Sequence, residues 1–149
     1  MYKLNLPEYN FKIRKINQKL EIFDRFRKKY VSLTPEEWVR QNFIEYLISE
    51  KNFPESLIIV EKSLTLNQMQ KRADIVVYTN KGKPKLIVEC KAPEVKIIQK
   101  TFDQIARYNM TLQVDYLIVT NGIIHYCCHI DFINKTYNFI ENIPEYNEI

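Results

Sequence analysis

The sequence predicts a mixed α/β sandwich built around one sheet. Two segments carry helical patterning, one after Leu33 and one after Pro93, and six runs of β-formers lie between and beyond them. With 149 residues, 46% hydrophobic and 27% charged, the chain suits one folded domain over residues 1–149. The expected core order is α-β-β-β-α-β, preceded by a hairpin and followed by extra strands.

The hairpin comes first. FKIRKINQKLEIFDRF, from Phe11, alternates, and Asn17-Gln18 offers a turn. The basic run Arg25 to Tyr30 follows, read either as solvated surface or as a phosphate-contacting patch. In LTPEEW, Thr34 can N-cap a helix, Pro35 suits its first position and Glu37 stands where a capping box needs an acid. Leu33 and Trp38 have staple spacing, and Val39, Phe43, Tyr46 and Leu47 make an apolar stripe. That helix should end near Lys51, before Pro54.

Three strands should follow: SLIIVEKSLTL up to Leu66, RADIVVYT from Arg72 to Thr79, and KLIVECKA from Lys85 to Ala92. NKGKP, with Gly82, reads as the turn joining the last two. Pro93 is expected to open a second helix with Val95, Ile98, Phe102, Ile105 and Asn109 on one stripe. YLIVTNG then reads as a buried strand reached by a parallel crossover. IIHYCCHIDF and KTYNFIENI close the chain as an antiparallel pair.

Composition excludes several functions. Two glycines, Gly82 and Gly122, are too few for a GxxxxGK[ST] loop or a GxGxxG turn. No apolar run approaches about 18 residues, so no membrane span is expected. Three cysteines, two of them adjacent, make no disulfide framework and fit a reducing, cytoplasmic setting. A net charge of +4 is compatible with nucleic acid without identifying it. His125, Cys127 and His129 share a strand face, but their spacing suits one tetrahedral ion poorly.

The chemistry concentrates in LIVECKAP. Strand alternation puts Glu89 and Lys91 on one face. Alone, the pair could be a surface ion pair. If the hairpin register brings Asp74 opposite Glu89, two carboxylates share a half-buried site and call for a cation. Mg²⁺, with Mn²⁺ as substitute, takes oxygen ligands of this kind, and the Cys90 backbone carbonyl could add one. Lys91 could then orient an attacking water or stabilise transition-state charge.

An Asp, a tight hairpin and a Glu-x-Lys directly before a helix resemble the PD-(D/E)xK nucleases and their restriction-endonuclease-like fold. Ala73 stands where that pattern often has proline before the acid. LTPEEWVRQNFIEYL, KRADIVVY, LIVECKAP, FDQIARYN and YLIVTNG, in this order, resemble the N-terminal nuclease domain of type I restriction enzyme R subunits, as small stand-alone proteins. The resemblance runs from roughly Leu4 to Pro144. It implies metal-binding acids at Asp74 and Glu89, a catalytic lysine at Lys91, and a Gln-x-x-x-Tyr motif at Gln104 and Tyr108 that positions DNA or the catalytic groups. It also implies an acid from the first helix in the metal shell. Glu37 is the candidate, though a capping glutamate explains it equally. Arg40, one turn on, could bind phosphate or pair with Glu37.

The expected function is a Mg²⁺-dependent DNA endonuclease. The alternatives are a nucleic-acid-binding or partner-docking module that keeps the fold, and a repair or junction nuclease. The expected partners are DNA and a separate motor or specificity subunit, with a homodimer left open.

Overall fold

A computed structural model describes residues 1–66 and 69–149. The N-terminal part forms a three-stranded antiparallel sheet of β1 (Ile13–Ile16), β2 (Lys19–Asp24) and β3 (Lys29–Ser32). Asn17 (φ 49°) and Gln18 (φ 67°) are both left-handed, as a two-residue type I′ hairpin turn requires. The third strand is a departure from the expected hairpin. The end of the basic run pairs instead of lying free, with Phe23 opposite Tyr30 and Ile22 opposite Val31. Its two β-formers, Tyr30 and Val31, gain cross-strand partners that a basic count does not reveal.

Helix α1 (Pro35–Lys51) starts as its sequence dictates. The Thr34 side chain accepts the Glu37 amide at 3.0 Å, and Pro35 occupies the first turn. Left-handed Asn52 (φ 58°) ends it, and the Phe53 amide returns to the Leu47 carbonyl at 3.0 Å. A 3₁₀ turn at Glu55–Leu57 leads into the main sheet.

That sheet has six strands in sequence order: β4 (Ile58–Leu66), β5 (Met69–Tyr78), β6 (Pro84–Cys90), β7 (Tyr116–Thr120), β8 (His125–Asp131) and β9 (Thr136–Ile140). Only β6 and β7 run parallel, joined by the crossover through α2 (Gln99–Met110). Gly82 (φ 79°) makes the β5–β6 turn, where the Thr79 amide donates to the Lys83 carbonyl at 2.8 Å.

One helix covers each sheet face. Phe43 and Leu47 of α1 pack with Ile75, Leu86, Val88 and Ile118. Phe102 and Ala106 of α2 pack with Val76, Ile87 and Leu117. Alternation along β6 feeds both cores, so no strand residue from Leu86 to Val88 meets water. No helix among the described residues is long and apolar enough to cross a membrane.

Pro93 does not open the second helix, which begins six residues later at Gln99. The intervening chain is a turn, where the Val95 amide donates to the Ala92 carbonyl (3.0 Å) and Asn121 Nδ2 holds the Val95 carbonyl (2.8 Å). Ala92 has no side-chain acceptor to cap a helix at Pro93. Val95 and Ile98 are therefore exposed, and the buried stripe is Phe102, Ala106 and Asn109.

Candidate active site

The site is a fork in the sheet. Strands β5 and β6 pair as far as Ile75 opposite Val88, which puts Asp74 and Glu89 at the next opposed positions. On the other side of β5, Val60 pairs with Ile75 and Lys62 with Ala73, but the pair between them, Glu61 and Asp74, is missing from the ladder. Glu61 has φ 52°, a left-handed value that a non-glycine residue rarely holds inside a strand.

This irregularity breaks the alternation of β5. Ala73 lies in the core under α2, whereas Ile75, two residues on, lies in the core under α1. A regular strand would put both on one face. Asp74 sits at the crossover, and its carboxylate turns into the fork, where Oδ2 accepts the Cys90 amide at 2.8 Å. The side chain thus replaces the backbone acceptor that β5 no longer offers.

The direction of β6 fixes what else enters the fork. The Lys91 amide donates to the Thr120 carbonyl of β7 at 2.8 Å. Neighbouring residues of a strand point their backbone groups to opposite sides. The Cys90 N–H and C=O therefore both point at the fork, so its carbonyl lies beside Asp74. Glu89, half-buried, shares strand parity with Ile87 of the α2-side core.

Asp74, Glu36, Glu37, Glu61, Arg40 and Cys90 line one cleft of about 440 Å³ at the start of α1. Burial raises the Asp74 pKa. Its bond from Cys90 opposes this, the Glu61 charge adds to it, and Arg40 and Lys91 offset part. Burial also raises Glu36, helped by the charge of Asp74 and opposed by Lys91. Glu36 and Lys91 are thus near enough to Asp74 for their charges to bear on it. The Cys90 thiol, fully buried and close to Asp74, is pushed well up, so it is a neutral core group and no nucleophile.

The carboxylates fit a hard divalent cation, because their mutual repulsion is what such an ion relieves. Among the described residues, no three His, Cys, Asp or Glu side chains close on one ion by themselves. Mg²⁺ does not need that. It commonly takes one or two carboxylates and completes its shell with water and phosphate.

The first-helix acids divide differently from the sequence expectation. Glu37 is committed elsewhere, ion-paired with Arg40 and Arg27 (3.0 Å) and accepting from Gln41 Nε2 (2.9 Å). Its neighbour Glu36 is the acid coupled to Asp74 and Lys91. Residues one apart point about 100° apart on a helix, so one acid faces the ion pairs and the other the fork. Arg40 is 2% exposed and is held by Asp24 Oδ2 (3.2 Å) as well as Glu37. Its Nη1 has no hydrogen-bond partner among the described residues.

Gln104 and Tyr108 lie one turn apart on α2, over the opposite face of the sheet from α1. Gln104 is exposed, and the Tyr108 hydroxyl donates to the Gln70 carbonyl of β5 at 2.9 Å, four residues before Asp74. His125 is occupied away from the fork. Its Nδ1 meets Thr120 Oγ1 at 2.7 Å and its Nε2 meets the Asn5 carbonyl at 3.1 Å.

Sequence reasoning passed over Glu36, Glu61 and Asp24. Glu36 had a signal, since a Thr34 cap assigns Glu37 to the capping position and leaves its neighbour free. Glu61 had none, because a left-handed glutamate inside a strand follows from its neighbours and not from its own identity.

The model of the type I restriction enzyme R protein N terminus family matches residues 35–144. No curated protein matches the chain. Among solved structures, a fragment described as an HsdR subunit of a type I restriction enzyme from Vibrio vulnificus superposes with a TM-score of 0.55 at 20% identity, over 78% of this chain. This chain covers 24% of that one, so it spans about a quarter of its length. The shared arrangement is that of the restriction-endonuclease-like fold expected above. With the family match extending over most of its residues, the chain belongs to the type I restriction enzyme R protein N-terminal family.

Proposed function

We propose that the fork is a phosphodiester-cleaving centre and that the protein is a Mg²⁺-dependent DNA endonuclease. The observation that carries this reading is the Asp74 carboxylate held by the Cys90 amide beside the Cys90 carbonyl, with Glu36 and Lys91 coupled to it. Asp74, Glu89 and the Cys90 carbonyl would hold the ion, and Mn²⁺ could replace it. When bound, it would supply Lewis acidity toward the scissile phosphate and lower the pKa of a water.

The chain's own groups do the rest. The Cys90 amide fixes one Asp74 oxygen, and the other takes no part in that bond. Lys91 brings positive charge to the place where the phosphate gains negative charge. Gln104 and Tyr108 would position the DNA. Arg40, with its unpaired Nη1, stands ready at the base of the cleft for a phosphate oxygen.

Single-stranded, duplex and branched DNA incubated with Mg²⁺ or Mn²⁺ test the reading. The wild type should cleave at least one substrate, and Asp74→Ala and Lys91→Ala should cleave none. Cleavage that survives both substitutions would sink the mechanism.

A second reading is a nucleic-acid-binding or docking module that acts with a separate motor or specificity subunit. The chain covers 24% of the matching fragment, and its two glycines leave no phosphate-cradling loop for a motor. Salt-dependent DNA binding without cleavage of any substrate would favour it.

A further inference from the structure

The N-terminal sheet lies ahead of residues 35–144, the span the family model matches, so the family reading assigns it no role. Its two faces differ sharply. Ile22 and Asp24 point inward and are 0% and 1% exposed. Strand pairing puts Lys12, Arg14, Lys19, Phe23 and Tyr30 together on the other face.

That outer face combines rings and cations. Phe23 and Tyr30 meet edge to face at 5.3 Å. The Arg14 guanidinium stacks 3.8 Å above Tyr30, and Lys12 Nζ stands 5.7 Å above Phe23. Glu21 accepts Arg14 Nε at 2.8 Å, which fixes the guanidinium plane while the side chain stays 47% exposed. Unpaired bases stack on aromatic rings and on arginine planes of this kind.

Charge is skewed toward this segment, although Arg25 and Arg27 are ion-paired with Glu45, Glu55, Asp24 and Glu37 and the outer face itself carries Lys12, Arg14 and Lys19 against Glu21. Residues 11–32 hold eight basic and two acidic side chains. The whole chain has an excess of four, so the remainder is net acidic by two. The cleft itself is lined by Glu36, Glu37, Glu61 and Asp74 against Arg40. An acidic cleft cannot by itself attract a polyanion. The sheet reaches that cleft directly, because β3 ends at Ser32 and the cleft begins at Thr34.

We infer that the outer face of the three-stranded sheet is a docking platform for a single nucleic-acid strand, stacking on Arg14, Phe23 and Tyr30 with phosphates on Lys12 and Lys19. The platform rests on the nucleic-acid reading of the fork and supplies the grip that the acidic cleft lacks.

The test is binding of labelled oligothymidylate by the full chain in EDTA, across a salt series. Wild-type affinity should fall with salt. Lys12→Ala with Lys19→Ala, both at exposed positions, should shrink the log–log slope by about 1.4, at about 0.7 per phosphate contact for a single strand. Tyr30→Leu should weaken binding about ten-fold. An unchanged slope in the double variant, with an unchanged circular dichroism spectrum, would overturn the platform. So would equal affinity for a blunt duplex of the same length. Cleavage is scored separately. Weakened binding without cleavage by any protein defeats the nuclease reading and leaves the platform standing. Cleavage with undiminished binding in the variants does the reverse.

Discussion

Replacing Asp24 with alanine should cost more stability than any exposed ion pair could. Asp24 is 1% exposed and accepts four hydrogen bonds. Oδ1 takes the Phe26 and Arg27 amides at 2.8 and 3.2 Å, and Oδ2 takes Arg27 Nε at 2.6 Å and Arg40 Nη2 at 3.2 Å. The network ties the N-terminal sheet to the cleft. Truncating one member of a buried pair costs roughly 3–5 kcal/mol, because the partner charge stays buried. Arg40 keeps Glu37, so the lower end applies, about 3 kcal/mol. For a chain of this size that lowers Tm by about 6–12 °C. Thermal and urea melts of the wild type and Asp24→Ala measure it. The loss has a pH signature. Burial alone would raise the Asp24 pKa, but the Arg27 bond, the Arg40 charge and the two amides outweigh it and hold it low. A lowered carboxylate pKa stabilises the fold above about pH 4, and that contribution is lost as pH falls through the lowered value. The gap between the two proteins should narrow in acid. A loss below about 1 kcal/mol, the range of exposed pairs, or a gap independent of pH, would refute the reasoning.

The other predictions concern the fork and its supports. Asp74 has the opposite sign from Asp24, since burial raises its pKa and its contribution is lost as pH rises from about 4 through the raised value. Asp74→Asn should therefore gain roughly 0.5–2 kcal/mol at neutral pH in EDTA while losing cleavage, with the gain vanishing toward pH 4. A variant less stable than wild type at neutral pH would contradict this. Glu36→Gln should reduce cleavage without lowering Tm at neutral pH, since burial and the Asp74 charge already disfavour its charged form, whereas Glu37→Gln should lower Tm through its lost pairs with Arg27 and Arg40. The reverse pattern would restore Glu37 to the site. Gly122→Ala should destabilise by roughly 1–3 kcal/mol in urea. Gly122 has φ 85°, and a Cβ there would stand 2.7 Å from Leu4 Cδ2 and 3.1 Å from Val39 Cγ2. An unchanged urea midpoint would show that both side chains yield freely.

The elements that local chemistry controls were legible in the sequence. The Thr34 cap, Pro35 and the Leu33–Trp38 spacing fixed where α1 begins, and Asn17-Gln18 and Gly82 fixed two turns. The parallel pairing of LIVECKA with YLIVTNG followed from the helix between them. Features set by distant partners were hidden. The strand Lys29–Ser32 exists because Phe23 and Ile22 pair with it. The stretch after Pro93 stays unwound because Asn121, 26 residues away, holds the Val95 carbonyl. The acids at the fork were visible as types and spacing. Their arrangement was not, since it depends on Glu61 in a left-handed conformation across from Asp74. The exchange of Glu37 for Glu36 has the same origin, because Arg27 and Arg40 claim Glu37 from separate elements.

The central claim is that LIVECKAP and Asp74 together hold a divalent cation at the fork. An anomalous difference map from crystals soaked in Mn²⁺ tests it most directly. The account predicts a peak bound by the Asp74 carboxylate and the Cys90 carbonyl, with Glu89 in reach. A peak lodged at Glu37 instead, or an Asp74 side chain turned away from the Cys90 amide, would contradict it.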